Sequence, residues 1–138
     1  MYLVDTDVIS ESRKGDRANP GVRQFFRKAI QDDHALYISA VTIGELRRGV
    51  EKLRHRGDQD QAMRLERWLE RLTEEYADSI LIFDADTAHV WGRLRVPHPE
   101  NALDKQIAAT ALIYDLAIVT RNIAHFAATG ARLLNPFE

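Results

Sequence analysis

The sequence predicts an α/β fold built around a central, mostly parallel sheet. Three observations lead there. Short apolar runs recur along the chain with little polar alternation inside them, as strands covered on both faces require. Segments of helical periodicity separate these runs, and strands interleaved with helices indicate parallel pairing. The 138 residues, 45% of them apolar, suffice for one domain over 1–138 with its own core.

The elements follow in order. Tyr2, Leu3 and Val4 open a first strand, broken by Asp5, Thr6 and Asp7 before Val8 and Ile9 resume the apolar pattern. Carboxylates at such a place are costly unless paired or metal-bound, so the stretch is either a capped strand-to-helix turn or part of a charged site. Residues 11–20 ("ESRKGDRANP") read as a loop. Pro20 starts a helix through about residue 31, with Val22, Phe25, Phe26 and Ile30 on one face. "ALYISA" is a strand. Residues 41–57 are helical, with Ile43, Leu46, Val50 and Leu53 in 3-4-3 spacing and Gly57 as the stop. Residues 58–76 form an amphipathic helix with Leu65, Trp68, Leu69, Leu72 and Tyr76 on its stripe. "SILIF" is a strand, Asp84 caps a helix through about Leu94, and "VPHPE" is a loop. Residues 101–115 give a helix rich in small residues, "LAIVT" a strand, 121–130 a short helix closed by Gly130, and "ARLLN" a last strand.

Composition narrows the function classes. Nineteen basic and 21 acidic residues give a formal charge of −2, so a nucleic-acid site has to be local. The absence of cysteine removes disulfides and thiolate metal sites and suits a reducing compartment. The five histidines are scattered, without an HxxxH pair, which argues against a histidine zinc site. No apolar run approaches the roughly 20 residues of a membrane span, and the N-terminal run is too short for a signal peptide. A soluble cytoplasmic protein is expected.

In parallel sheets, sites form beyond the carboxyl ends of the strands. Asp5 lies at such an end, and so does Thr120-Arg121-Asn122. Two further acids stand out. Glu45 has small neighbours one turn away, Thr42 and Gly49. Asp104 heads a stripe of Ile107, Ala108 and Ala111 that suits close packing on a sheet. Each acid also has a simpler reading: Asp5 as an N-cap, Glu45 paired with Arg48, Asp104 favouring its helix dipole. Converging acids repel one another and titrate as a coupled set, and a hard divalent cation relieves that repulsion. Such an ion suits phosphodiester hydrolysis.

The strand ending "LVDTDVIS", the helix "SAVTIGELRRGV", the helix start "LDKQIAATA" and the stretch "LAIVTRNIAHF", followed by "LLNPF", together resemble a PIN-domain ribonuclease. The likeness is to the VapC toxins of bacterial toxin–antitoxin pairs, including FitB-like members, and covers nearly the whole chain. The resemblance implies a three-layer α/β/α sandwich and endonucleolytic RNA cleavage dependent on Mg2+ or Mn2+. It also implies neutralisation by a cognate VapB-like antitoxin and a homodimer. It places Asp5 and Asp104 as direct metal ligands, Glu45 on a second cation or the attacking water, and Thr6 in support. Two positions depart from the family pattern. Asp7 stands where Asn is common, and a region that often carries a fourth acid offers Asn122 and His125 instead, which makes a one-metal mechanism reasonable.

RNA needs a basic approach. Arg47 and Arg48 neighbour Glu45, and Arg121 neighbours Asn122, so these three are the expected phosphate contacts, with Lys105 flanking Asp104. The segment 52–56 adds Lys52, Arg54 and Arg56, which equally suit a solvated helix face. Trp68, Leu69 and Leu72 read as core, although part of that hairpin could form a groove for an antitoxin helix. Trp91 and Phe126 read as structural. Two alternatives remain. "LVDTDVI" fits a haloacid-dehalogenase-type phosphatase, with Asp5 as nucleophile and Asp7 as acid, but the late acidic pair of that class is missing. The other is a non-catalytic module that keeps only the fold.

Overall fold

The computed structural model describes residues 1–138. Five strands, β1 (Tyr2–Val4), β2 (Leu36–Ser39), β3 (Ile80–Leu81), β4 (Ala117–Val119) and β5 (Leu133–Leu134), form one sheet in the order β3-β2-β1-β4-β5. Every pairing is parallel, with Leu3 opposite both Tyr37 and Ile118. Seven helices surround it: α1 (Thr6–Ser12), α2 (Pro20–Gln31), α3 (Ala40–His55), α4 (Gln59–Glu75), α5 (Ala85–Leu94), α6 (Ala102–Tyr114) and α7 (Ile123–Phe126).

The strand period of two divides the core between the faces. Val4, Ile38 and Val119 point to one side, where Val8 and Ile9 of α1, Val22 of α2, Leu46 and Val50 of α3, and Leu69 and Leu72 of α4 cover them. Leu3 and Ile118 point to the other, against Ile107, Ala108 and Ala111 of α6 and Phe126 of α7. The small residues of α6 let that helix lie close on the sheet, as their stripe predicts. Trp91 ties α5 to α6 by donating from Nε1 to Ala102 O at 2.9 Å.

Local signals act where the sequence puts them. Asn19 caps α2 with Pro20 in its first turn, and Asp58 and Asp84 cap α4 and α5 through their side chains. Gly57 stops α3 at φ +87°, a conformation that costs glycine nothing. One expectation is corrected. Residues 11–20 are not all loop: α1 runs on through Ser12, and a 3-10 turn spans Gly15–Arg17. The polarity of this stretch hid the helix, because only Val8 and Ile9 of α1 are buried. The later strands are also shorter than their apolar runs. "SILIF" contributes only Ile80–Leu81 and "ARLLN" only Leu133–Leu134, since edge strands pair along one side.

The sheet order reverses between β1 and β4, and the crevice beyond their carboxyl ends is where α/β sheets hold ligands.

Candidate active site

Asp5 ends β1 and begins α1 in the same step. Its backbone N–H donates to Val119 O at 2.9 Å, which ties it to β4. Its Oδ1 accepts from Thr6 N at 2.8 Å, so the capping reading holds. That does not account for the whole residue. Asp5 is 3% exposed, and its Oδ2 accepts from the Thr120 hydroxyl at 2.8 Å. Thr120, fully buried, accepts in turn from Asn122 N at 3.0 Å. The carboxylate is held from both sides of the β1–β4 joint.

Three further acids surround it. Asp7 Oδ2 accepts from Arg121 N at 3.0 Å, while its Oδ1 is buried without any hydrogen-bond partner. Glu45, projecting from α3, accepts on Oε1 from the Thr6 hydroxyl at 3.2 Å, and that hydroxyl shares a 3.1 Å hydrogen bond with buried Thr42. Asp104, in the first turn of α6, lies 2.8 Å through Oδ2 from His125 Nδ1 on α7.

The electrostatics show that these acids share one site. Burial pushes the Asp5 carboxyl up to about 7, and the charges of Asp7 and Asp104 add to that push against its hydrogen bonds from Thr120 and Thr6. Asp7 is raised by burial, with Asp104 adding to it and the Arg121 N–H opposing. Glu45 is raised by burial, then by Asp104 and Asp7, against the Thr6 hydrogen bond and the Arg48 charge. Folding therefore gathers acids from β1, α1, α3 and α6 into mutual repulsion.

The donor set suits a hard cation. No three His, Cys, Asp or Glu side chains are placed to grip one ion together. Mg2+ typically takes only one or two carboxylates and keeps waters in its remaining positions. The orphaned Asp7 Oδ1 is a buried acceptor that such an ion or one of its waters would satisfy. One or two of these carboxylates, Asp5 and Asp104 among them, could hold such an ion, with Asp7 Oδ1 left to meet one of its waters.

The basic residues divide. Arg121 stays beside the acids, its guanidinium 4.8 Å from the Phe137 ring centroid. Arg48 acts on Glu45. Arg47 turns to α4, where Nη1 meets Glu66 at 2.6 Å, and Arg54 reaches the same carboxylate at 3.0 Å. Their charge is spent within the α3–α4 hairpin. Lys105 is corrected outright: it is 5% exposed and its Nζ donates to His98 O, so it holds the loop before α6 and is not free for phosphate. Asn122 presents its backbone to Thr120, and its side chain caps nothing.

Sequence reasoning missed Thr42 as a working part of the site, and placed Thr120 and His125 near it without giving them a partner. A hydroxyl at the carboxyl end of the strand beside β1 was a usable signal for Thr120. His125 was marked by its place in the region of the usual fourth acid, but only the approach of α7 to α6 brings it to Asp104.

The PIN-domain family profile matches residues 2–131. The chain belongs to the PIN-domain family. Toxin FitB of Neisseria gonorrhoeae is 33% identical over 143 residues, covering 100% of this chain and 99% of that protein. VapC ribonuclease Y4jK of Sinorhizobium fredii is 29% identical over 147 residues, again with 100% and 99% covered. Among solved structures, FitAcB from Neisseria gonorrhoeae superposes with a TM-score of 0.85 at 33% identity, covering 100% of this chain and 99% of that one. The α/β/α architecture expected of a PIN domain is the one observed, and the PIN assignment replaces the dehalogenase-type phosphatase alternative.

Proposed function

We propose that this protein is a metal-dependent endoribonuclease toxin, a single PIN domain over 1–138 that a cognate antitoxin neutralises. The observation that carries the reading is the meeting of Asp5, Asp7, Glu45 and Asp104 at the β1–β4 switch point, where burial and neighbouring acid charges raise Asp5, Asp7 and Glu45. Its full-length likeness to Toxin FitB and to a VapC ribonuclease supports the substrate and the biological role.

A divalent cation, Mg2+ or Mn2+, bound by Asp5 and Asp104 would neutralise developing phosphoryl charge and acidify a water. The chain's own residues do the rest. Thr120 and the Thr6 N–H fix the plane of the Asp5 carboxylate, and His125 fixes Asp104. Glu45 is oriented through Oε1 by Thr6, which leaves Oε2 free to take a proton from the attacking water. Its raised pKa makes it a stronger base than an ordinary glutamate. Arg121 and Arg48 offer charge to the phosphates. Asn122 is available to a bound water.

Exposed apolar side chains at the end of α6, Leu112, Ile113 and Tyr114, support a homodimer through that helix. No helix is long and apolar enough to cross a membrane.

The test is cleavage of single-stranded RNA by the purified chain. We expect cutting with Mg2+ or Mn2+, none with excess chelator, and loss in Asp104→Asn with an unchanged melting curve in chelator. Cleavage that ignores chelator, or an inert protein with every metal, would overturn the reading. The second outcome would favour a binding module.

A further inference from the structure

Arg13 at the end of α1 and Arg64, Arg67 and Arg71 along one face of α4 line an open hollow of about 260 Å³ around Trp68. All four arginines are exposed, and none lies within 4.0 Å of a carboxylate. The contrast lies within α4 and its neighbour α3. On the hairpin's other side, Arg47 and Arg54 are both paired, sharing the carboxylates of Glu66 and Glu51. Like charges three and four residues apart on a helix work against it. Arg64, Arg67 and Arg71 repel one another along α4, and with Arg13 they leave four guanidiniums without a carboxylate partner within 4.0 Å. The chain's formal charge of −2 shows that they are no by-product of a basic composition.

Position ties them to the acid site. α1 connects the hollow to the acids, with Asp5 at its N-cap and Arg13 at its C-cap. At about 1.5 Å per residue the eight steps span roughly 12 Å. A stacked strand rises about 3.4 Å per nucleotide, so the same span covers about three to four nucleotides. Unpaired arginines that track a backbone, with an aromatic ring at their centre, are the combination used to hold single strands without reading sequence. Trp68 is half-buried, packed against the core and lining the hollow.

We infer that this hollow is an extended substrate subsite, seating the backbone of single-stranded RNA about three to four nucleotides from the bond that is cut. The inference rests on the ribonuclease reading and deepens it. The enzyme then requires a strand that continues past the cleavage point, and a dinucleotide fills only the acid site. Once RNA is bound, the repulsion among the arginines becomes attraction to phosphates.

The test compares the full chain with a triple variant, Arg64→Gln, Arg67→Gln and Arg71→Gln. The probes are mixed-sequence RNA of two and of twelve nucleotides. Binding of the 12-mer is measured in chelator across a salt series, and cleavage of both lengths with Mg2+. The triple variant should lose about tenfold or more in 12-mer affinity, and its salt dependence should flatten by about two units, at roughly 0.7 per phosphate contact. Dinucleotide cleavage should not change. The melting temperature should hold or rise, which a structural role for these arginines would reverse. Equal 12-mer affinity and salt slope in the two proteins, with the wild type cutting RNA, overturns the subsite alone. The same result with weaker antitoxin binding assigns the hollow to an acidic peptide and also overturns it. A wild type that neither binds nor cuts RNA overturns the ribonuclease reading with it.

Discussion

The Thr120 hydroxyl donates to Asp5 Oδ2 at 2.8 Å across the joint between β4 and β1, from a position 115 residues further along the chain. Asn122 N in turn donates to the same hydroxyl, so the two strand ends are locked through one oxygen. Thr120→Val keeps the shape and removes that oxygen. Asp5 Oδ2 and the Asn122 N–H both lose their partner, and the loss of a buried hydrogen bond costs about 1–3 kcal/mol. Removal of a group that orients a metal ligand typically lowers activity or metal affinity by about 10–100-fold. We expect both losses in Thr120→Val and recovery in Thr120→Ser. Denaturant unfolding and a Mn2+ titration check them. Unaltered Mn2+ affinity in the valine variant would show that Asp5 needs no such support.

The acid cluster makes stability depend on pH in an unusual direction. An acid whose folded pKa lies above its unfolded value binds its proton more tightly when folded. Asp5 is raised from 3.8 to about 7, so its contribution is fully present below about pH 4 and is lost as pH rises toward 7. Asp7 and Glu45 are raised too and act in the same sense. At about 1.4 kcal/mol per unit, Asp5 alone sets a ceiling of roughly 4 kcal/mol. Metal-free protein should therefore lose stability between about pH 4 and pH 7, apart from ordinary acid unfolding. Mg2+ or Mn2+ should restore it at neutral pH, because a ligand of the folded state stabilises it by mass action. Thermal melts of wild type and Asp5→Asn with chelator, at a series of pH values, measure this. A flat difference between the two across that range would contradict it.

The fold was legible because its signals are local. The apolar run of Tyr2, Leu3 and Val4, the small-residue stripe of α6, the Pro20 start of α2 and the cap at Asp84 each act within a few residues. Helix α1 was not legible, because its apolar content is one pair, Val8 and Ile9, and its remaining turn is polar. In the site, the acids could be read from their position at the ends of apolar elements. Their mutual repulsion could be read only on condition that they converge, because pairs such as Asp5 and Asp104 meet only through the sheet order. The same holds for the basic residues. Arg47 and Arg48 are neighbours in sequence, yet the 100° step of the helix turns one toward Glu66 and the other toward Glu45.

Asp7 tests whether the extra acid works or is merely tolerated. Its Oδ1 is buried and unpartnered, and its charge raises the Asp5 pKa. Asp7→Asn keeps an oxygen for the Arg121 N–H and removes the charge. The metal-free protein at pH 7 should become more stable, and Mn2+ should bind more weakly. RNA cleavage should fall by less than about tenfold, since the proposed ligand pair, Asp5 and Asp104, is left in place. Calorimetric Mn2+ titration beside a cleavage time course separates the two effects. Complete loss of activity would move Asp7 from a helper to an essential ligand.

Gly21 links a helix start to the chain's end. A Cβ built there would meet Pro136 O at 2.0 Å, and that oxygen is backbone, so no side chain can swing aside. Helix propensity alone predicts that Gly21→Ala would stabilise α2 by about 1 kcal/mol. The collision decides otherwise, since overpacking of this kind costs about 1–3 kcal/mol. The strain should also reach the site. Phe137, next to Pro136, packs against the core and lies under the Arg121 guanidinium, whose backbone N–H holds Asp7. We expect a melting temperature lower by several degrees and a further drop in RNA affinity. A Phe137→Leu variant should reproduce that drop, because it removes the ring and leaves Gly21 alone. If Gly21→Ala lowers stability while RNA affinity is unchanged, the C-terminal tail supports the fold without positioning Arg121.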